Sequence, residues 1–203
     1  MARTTQTPQQ GRHHTFIQSR IHHQLCEHCH YGKHVATSHP TTTLRESSPL
    51  DLVHSDVCGP MPHQSLGGAS YFISFIDDST RKVWAYPAKT KDRVFSIFKE
   101  WLAMAENQSG WNLKCLRTDN GGGFKSEEFV KFCRHRDIRR EYTTPYSLEQ
   151  NGISECMNWT IQEHVVSMLQ HFGLSDGFWV EALLTAVHII NMLSSRPLGL
   201  RVP

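Results

Sequence analysis

Residues 50–87 read LDLVHSDVCGPMPHQSLGGASYFISFIDDSTRKVWAYP, and the alternation of apolar runs with turn residues in this stretch decides the fold class. Leu50, Leu52, Val53 and Val57 predict a strand over 50–57, closed by the turn residues Cys58-Gly59-Pro60. YFISFI (71–76) predicts a second, largely apolar strand. Asp77-Asp78-Ser79-Thr80 is turn chemistry and RKVWAYP (81–87) returns as a third strand, which makes 71–87 an antiparallel hairpin.

Downstream the pattern switches to helices and strands in alternation. Asp92 is placed to cap a helix whose Val94, Phe95, Phe98, Trp101, Leu102 and Ala105 recur at helical spacing as far as Gly110. LKCLRT (113–118) predicts a fourth strand, broken at Asp119-Asn120-Gly121. Ser126 caps a short helix with Glu127 and Glu128 in its first turn, and REYTT (140–144) predicts a fifth strand. A helix from Gly152 to about Gly173 carries Ile153, Met157, Ile161, Val165 and Met168 on one face. A last helix over 178–194 turns Phe178, Ala182, Leu183, Ala186, Val187 and Ile190 inward. Three strands, then helix, strand, helix, strand and two helices, predict an α/β fold: a five-stranded mixed sheet flanked by helices.

Composition narrows the class. With 203 residues, 38% apolar and 20% charged, the chain suits one globular domain plus a tail, and collagen-like, wholly disordered and disulfide-stapled classes are excluded. No run approaches the roughly 18 to 20 apolar residues of a membrane span, and MARTTQTPQQGRHH lacks the apolar core of a signal peptide, so a soluble intracellular protein without a membrane partner is expected. The isolated cysteines at 58, 115, 133 and 156 are expected to be reduced and buried. Residues 1–48 are rich in Thr, Gln, Ser and His and form an N-terminal tail or remnant zinc module; the folded core is expected over 49–203. The net charge of +2 is uneven, with +3 in residues 1–40 and −1 in the rest. A near-neutral body cannot hold nucleic acid by bulk charge, so DNA would have to be met by local groups, such as Lys131, Arg134, Arg136, Arg139 and Arg140.

Three carboxylates sit where a sheet and a helix could gather them. Asp56 interrupts an apolar strand, where a charge is costly without a partner or a metal ion. Asp119 follows the fourth strand and precedes Asn120-Gly121-Gly122-Gly123, a loop with little bulk to exclude a phosphate or an ion. Glu155 lies in the first turn of the predicted 152–172 helix, opposite Ile153 and Met157. Converging carboxylates suit two-metal phosphoryl transfer, although each alone also suits a turn or a helix start. Asp77 and Asp78 do not fit that scheme, because adjacent residues point apart; they read as hairpin residues.

There are 62 residues between Asp56 and Asp119 and 35 between Asp119 and Glu155. With those intervals, LVHSDVCGPM, FIDDSTR, LRTDNGGGF, PYSLEQNGISECMNWTI and FWVEALLTAVHIIN together resemble the integrase catalytic domain of copia-type long-terminal-repeat retrotransposon polyproteins over residues 50 to about 197. The resemblance implies a ribonuclease-H-like fold and a D,D,35-E triad of Asp56, Asp119 and Glu155 holding Mg²⁺ or Mn²⁺. It implies 3′-end processing and strand transfer on DNA, both element ends and target, by a homo-oligomer acting in the nucleus. Asn120, Gln150, Asn151, Lys131 and Arg134 are then expected near DNA, with capping the alternative for Gln150 and Asn151. The chain departs from the family's pattern at Gly123, where Glu is usual, at Leu148, where Pro is usual, and at Cys156 and Trp159, where bases are usual. Two lost cations weaken DNA positioning by about a kcal/mol each if they touch phosphate.

Cys26-Glu-His-Cys29 has the spacing of two zinc thiolates, with His22 or His23 close enough to join, and Gly32-Lys33 follows as in the resembled family's zinc module. Only 25 residues precede Cys26, so a truncated polyprotein fragment is expected. Two other functions fit the same residues: a decayed integrase that keeps the fold and binds nucleic acid or a partner weakly, and a ribonuclease-H-like nuclease acting on hybrids.

Overall fold

The computed structural model describes residues 48–119, 121–142, 148–194, 198 and 202–203, with side chains of the helix at 148–151 left out. The strands are β1 (Val53–Cys58), β2 (Tyr71–Asp77), β3 (Val83–Ala88), β4 (Cys115–Thr118) and β5 (Arg139–Tyr142). The helices are α1 (Val94–Ser109), α2 (Glu127–His135), α3 (Leu148–Phe172) and α4 (Trp179–Met192). The strands form one mixed sheet in the order β3-β2-β1-β4-β5; β1, β2 and β3 pair antiparallel, and β4 and β5 run parallel to β1.

Alternation along each strand divides the sheet into two faces. Val53, Ile73, Phe75 and Leu116 pack under α1 and α2, against Phe98, Trp101, Leu102, Phe124 and Phe129. That face is aromatic: Phe75 stacks on Trp101 at 4.2 Å and 5°, and Phe98 on Phe129 at 4.7 Å. Phe72, Ile76, Val83 and Ala85 face the other way, onto Ile161, Val165 and Leu169 of α3 and Trp179, Leu183 and Val187 of α4. The exposed flank of β3 is closed by α4, whose Asn191 side chain accepts from the Val83 N–H at 2.9 Å and donates to the Val83 carbonyl at 2.7 Å.

The hairpin turn is built on Asp77, whose buried carboxylate accepts from Leu50 N–H at 2.8 Å and from the Thr80 N–H and hydroxyl at 2.8 and 2.7 Å. Asp78 points elsewhere, to buried His54 at 3.2 Å and Arg81 at 3.4 Å. Burial lowers the pKa of His54 below its ordinary value, against the pull of Asp78. Both aspartates are therefore hairpin residues, as their adjacency in sequence implies.

Several expectations are corrected. β1 starts at Val53, not residue 50, because Leu50 has φ 60° and its N–H is spent on Asp77. Asp92 does not cap α1: a 3-10 turn at Lys91–Arg93 precedes the helix, with Thr90 at its N-cap. Ser126 does cap α2, accepting from Phe129 N–H at 3.2 Å, and Gly110 ends α1 at φ 73°. α3 begins at Leu148, so Gly152 lies inside it and is buried. Cys115 and Cys133 are buried as expected, but Cys58 is only half-buried and Cys156 is exposed. Among the described residues, no helix is long and apolar enough to cross a membrane.

Candidate functional site

Asp56 shares the α3 face of β1 with His54 and Cys58, and β1 pairs with β4 in the register Val53↔Leu116, His54↔Arg117, Ser55↔Thr118. One step further in that register brings Asp56, near the end of β1, beside Asp119, just past β4, so the two carboxylates sit side by side at the C-terminal rim of adjacent parallel strands. Val57 N–H donates to Asp56 Oδ1 at 2.8 Å, and Asn158 Nδ2 donates to Oδ2 at 2.9 Å from α3. Burial raises the pKa of Asp56 above the usual carboxylate range; the Asp119 charge adds to this and Glu155 more weakly, while the two hydrogen bonds oppose it. Asp56 thus lies within electrostatic reach of both Asp119 and Glu155.

Asp119 is held by the loop that follows it. Gly121 N–H donates to Asp119 Oδ1 at 3.1 Å, and a Cβ at Gly121 would stand 2.8 Å from that oxygen, so any other residue here would push the Asp119 carboxylate out of this position. Gly123 is also constrained: a Cβ there would meet Val94 Cγ2 at 2.9 Å, so a Glu at this position would need α1 to give way.

Glu155 lies two turns into α3 and is exposed, not in its first turn as the sequence suggests. A helix-dipole explanation fails at that depth, because the dipole effect falls off within the first turn. The inward face of α3 is also rotated from the apolar stripe: Ser154 and Asn158 are buried, ahead of Ile161, Val165 and Leu169, whereas Ile153 and Met157 are only half-buried. These polar side chains lie under the carboxylate edge, where Gln162 also donates to Cys58 Sγ at 3.2 Å. Asn158 is the residue that the apolar pattern could not find. Its one sequence signal is its place three residues after Glu155, on the adjoining side of the helix.

The basic residues stand apart from this edge. Lys131 and Arg134 lie on α2, which packs on the opposite face of the sheet from α3. Lys131 pairs with Glu127 at 2.7 Å and Arg139 with Glu141 at 3.1 Å; Arg136 pairs with Glu106. Arg140 donates to the Phe124 carbonyl and lies over the Phe129 and Tyr142 rings. Lys131, Arg136, Arg139 and Arg140 thus each have a partner, while the Lys131 and Arg139 side chains stay largely in solvent. Asn120, Cys26, Cys29, His22 and His23 lie outside the described residues, as do the side chains of Gln150 and Asn151.

The family model for the integrase core domain matches residues 46–147, half of the chain. The chain belongs to the integrase core domain family. The match includes Asp56 and Asp119 and stops before Glu155. Relatives extend the likeness: a retrovirus-related Pol polyprotein from transposon TNT 1-94 of Nicotiana tabacum is 47% identical over 88% of the chain, and one from transposon RE2 of Arabidopsis thaliana is 30% identical over 88%. The chain spans only 13% and 12% of the length of those polyproteins. Among solved structures, the cryo-EM structure of a simian T-cell lymphotropic virus intasome in complex with PP2A regulatory subunit B56 gamma is similar at TM-score 0.60 and 20% identity, covering 82% of this chain and 57% of that one. The five-stranded integrase core is thus ribonuclease-H-like.

Integrase core domains generally use divalent Mg²⁺ or Mn²⁺. Asp56, Asp119 and Glu155 fit such ions in donor chemistry, being all oxygen and negatively charged. No three His, Cys, Asp or Glu side chains among the described residues are close enough to grip one ion. Drawing three like charges closer requires a counter-charge; the pKa of Asp56 is raised first by burial and then by the Asp119 charge.

Proposed function

We propose that this integrase core carries out metal-dependent 3′-end processing and strand transfer on DNA, with Asp56, Asp119 and Glu155 as its catalytic triad. The observation that carries the reading is the strand register that sets Asp56 next to Asp119 beneath the helix bearing Glu155. The three carboxylates would hold divalent ions, which when bound supply positive charge at the scissile phosphate and ease formation of the attacking oxyanion. Val57 N–H and the Asn158 amide fix Asp56 in one orientation, and Gly121 N–H does the same for Asp119. In the first step water attacks the phosphorus and frees a 3′-hydroxyl; in the second that hydroxyl attacks a target phosphodiester and expels a target 3′-hydroxyl, so the protein forms no covalent bond. Joining two element ends to one target requires at least two chains, and the substrate places the work in the nucleus.

Within the family we assign the chain to copia-type retrotransposons, on the segments quoted above. A zinc site at Cys26, Cys29 and His22 or His23 belongs to the same proposal, and zinc retained by the full chain but lost from Cys26→Ser would support it. The second reading, an inactive core that still binds DNA, is favoured by Cys156 and Trp159, both exposed, at positions where the resembled family often has basic residues. Incubating the chain and its Asp119→Asn variant with duplex oligonucleotides in Mg²⁺ and Mn²⁺ separates the two. Nicked or joined product that the variant loses supports the catalytic reading, and a folded wild-type chain that binds DNA without product supports the second.

A further inference from the structure

Trp159 stands beside the carboxylate edge with nearly half of its surface in water, 46% exposed, which is costly for an indole with no partner to cover it. Its position is tightly defined. It follows Asn158, which hydrogen-bonds Asp56, and it lies one helical turn beyond Glu155 on the same stripe of α3. Among the described residues its ring meets no other aromatic ring and no cation within contact range. The charge distribution bears on what could cover it. Residues 41–203 carry 17 cations against 18 acids, and Lys131 and Arg134 of the basic cluster lie on α2, on the other face of the sheet. A body of that kind has little phosphate attraction to offer at the site, whereas an exposed indole offers a flat apolar face that any nucleobase can cover.

We propose that Trp159 is a base-stacking platform, which takes an unpaired base at the end of the DNA strand presented to Asp56, Asp119 and Glu155 and so makes the chain select frayed or overhanging ends over blunt ones. The proposal rests on the DNA reading of the site but not on catalysis. A base can reach the ring only after leaving its own stack, so an end already unpaired avoids that cost. Replacing a phosphate contact by stacking also makes binding at this position insensitive to salt, since no counterion is released.

The test is fluorescence anisotropy of the full chain with two labelled duplexes, identical except that one ends in two unpaired nucleotides, over a range of salt. Wild type is expected to bind the unpaired end at least about fivefold more tightly. Trp159→Ala is expected to erase that preference with the blunt-end affinity and the salt slope unchanged, and Trp159→Phe to keep most of it. Trp159→Leu keeps apolar bulk without a π face and is expected to behave as Ala; melting curves confirm that all variants fold. Equal wild-type affinity for both ends overturns the proposal, as does a preference that survives in Trp159→Ala or Trp159→Leu. The oligonucleotide assay keeps the two readings apart. Product formation with no Trp159-dependent preference removes the platform and leaves the triad, whereas a preference without product removes the triad and leaves the platform.

Discussion

The two faces of the sheet are built from different materials. Under α1 and α2 the contacts are aromatic and dry, with Phe75, Phe98, Trp101, Phe124 and Phe129 all fully buried. Among the described residues in the first half of α3 the buried side chains are Ser154 and Asn158, and the aliphatic core resumes only at Ile161. One face supplies stability and the other gives some up, because a polar, carboxylate-lined floor buries less apolar area and crowds like charges. Strained or charge-crowded sites of this kind are where a fold trades stability for function.

Substitutions can break the comparison. The largest effect on stability is expected from Trp101→Ala, which removes the ring stacked on Phe75 and leaves a cavity. It should cost about 3–5 kcal/mol, readable by denaturant unfolding. A loss no larger than that of an exposed site would mean that the aromatic face is not the stabilising one. Asn158→Ala is expected to do the opposite: stability within about 1.5 kcal/mol of wild type, and DNA product formation down by roughly 10- to 100-fold as Asp56 loses its orienting donor. Steady-state rates beside a melting curve check both halves.

Asp56→Asn sharpens the same contrast. The folded pKa of Asp56 lies above its unfolded value, so its contribution to stability is fully present below the unfolded pKa and is lost as pH rises through the folded pKa. At neutral pH the ionised group therefore costs stability, and the neutral amide should melt a few degrees higher than wild type in chelator while losing activity. The melting-point gap should close as pH falls through the carboxylate range. Lys131→Gln on the opposite face is expected to be the smallest change, under about 0.5 kcal/mol in a chemical melt, because its pair with Glu127 is exposed.

Much of this was legible in sequence, and the failures share a cause. The hairpin, the sheet composition and the Ser126 cap follow from local alternation and turn chemistry, which act within a few residues. Asp56 and Asp119 were visible because a charge in an apolar strand and a carboxylate before three glycines are both locally anomalous. The start of α3 was missed because Gly152 reads as a helix boundary, yet it is buried inside the helix. Its inward face was misassigned because periodicity counts apolar residues, whereas Ser154 and Asn158 are buried by what lies opposite them. Asn191 was missed for a similar reason: its partner, the edge of β3, is 108 residues away. Long-range polar partnerships leave no period in the chain.

The three carboxylates, Asp56 on β1, Asp119 just after β4 and Glu155 on α3, are proposed to form one cation-dependent site. Calorimetric titration of Mn²⁺ into the full chain, beside Asp119→Asn and Glu155→Gln, tests it without reference to catalysis. The account predicts that wild type binds Mn²⁺ and that each substitution weakens binding by at least tenfold while the fold is retained. Mn²⁺ bound by Glu155→Gln as tightly as by wild type would contradict it.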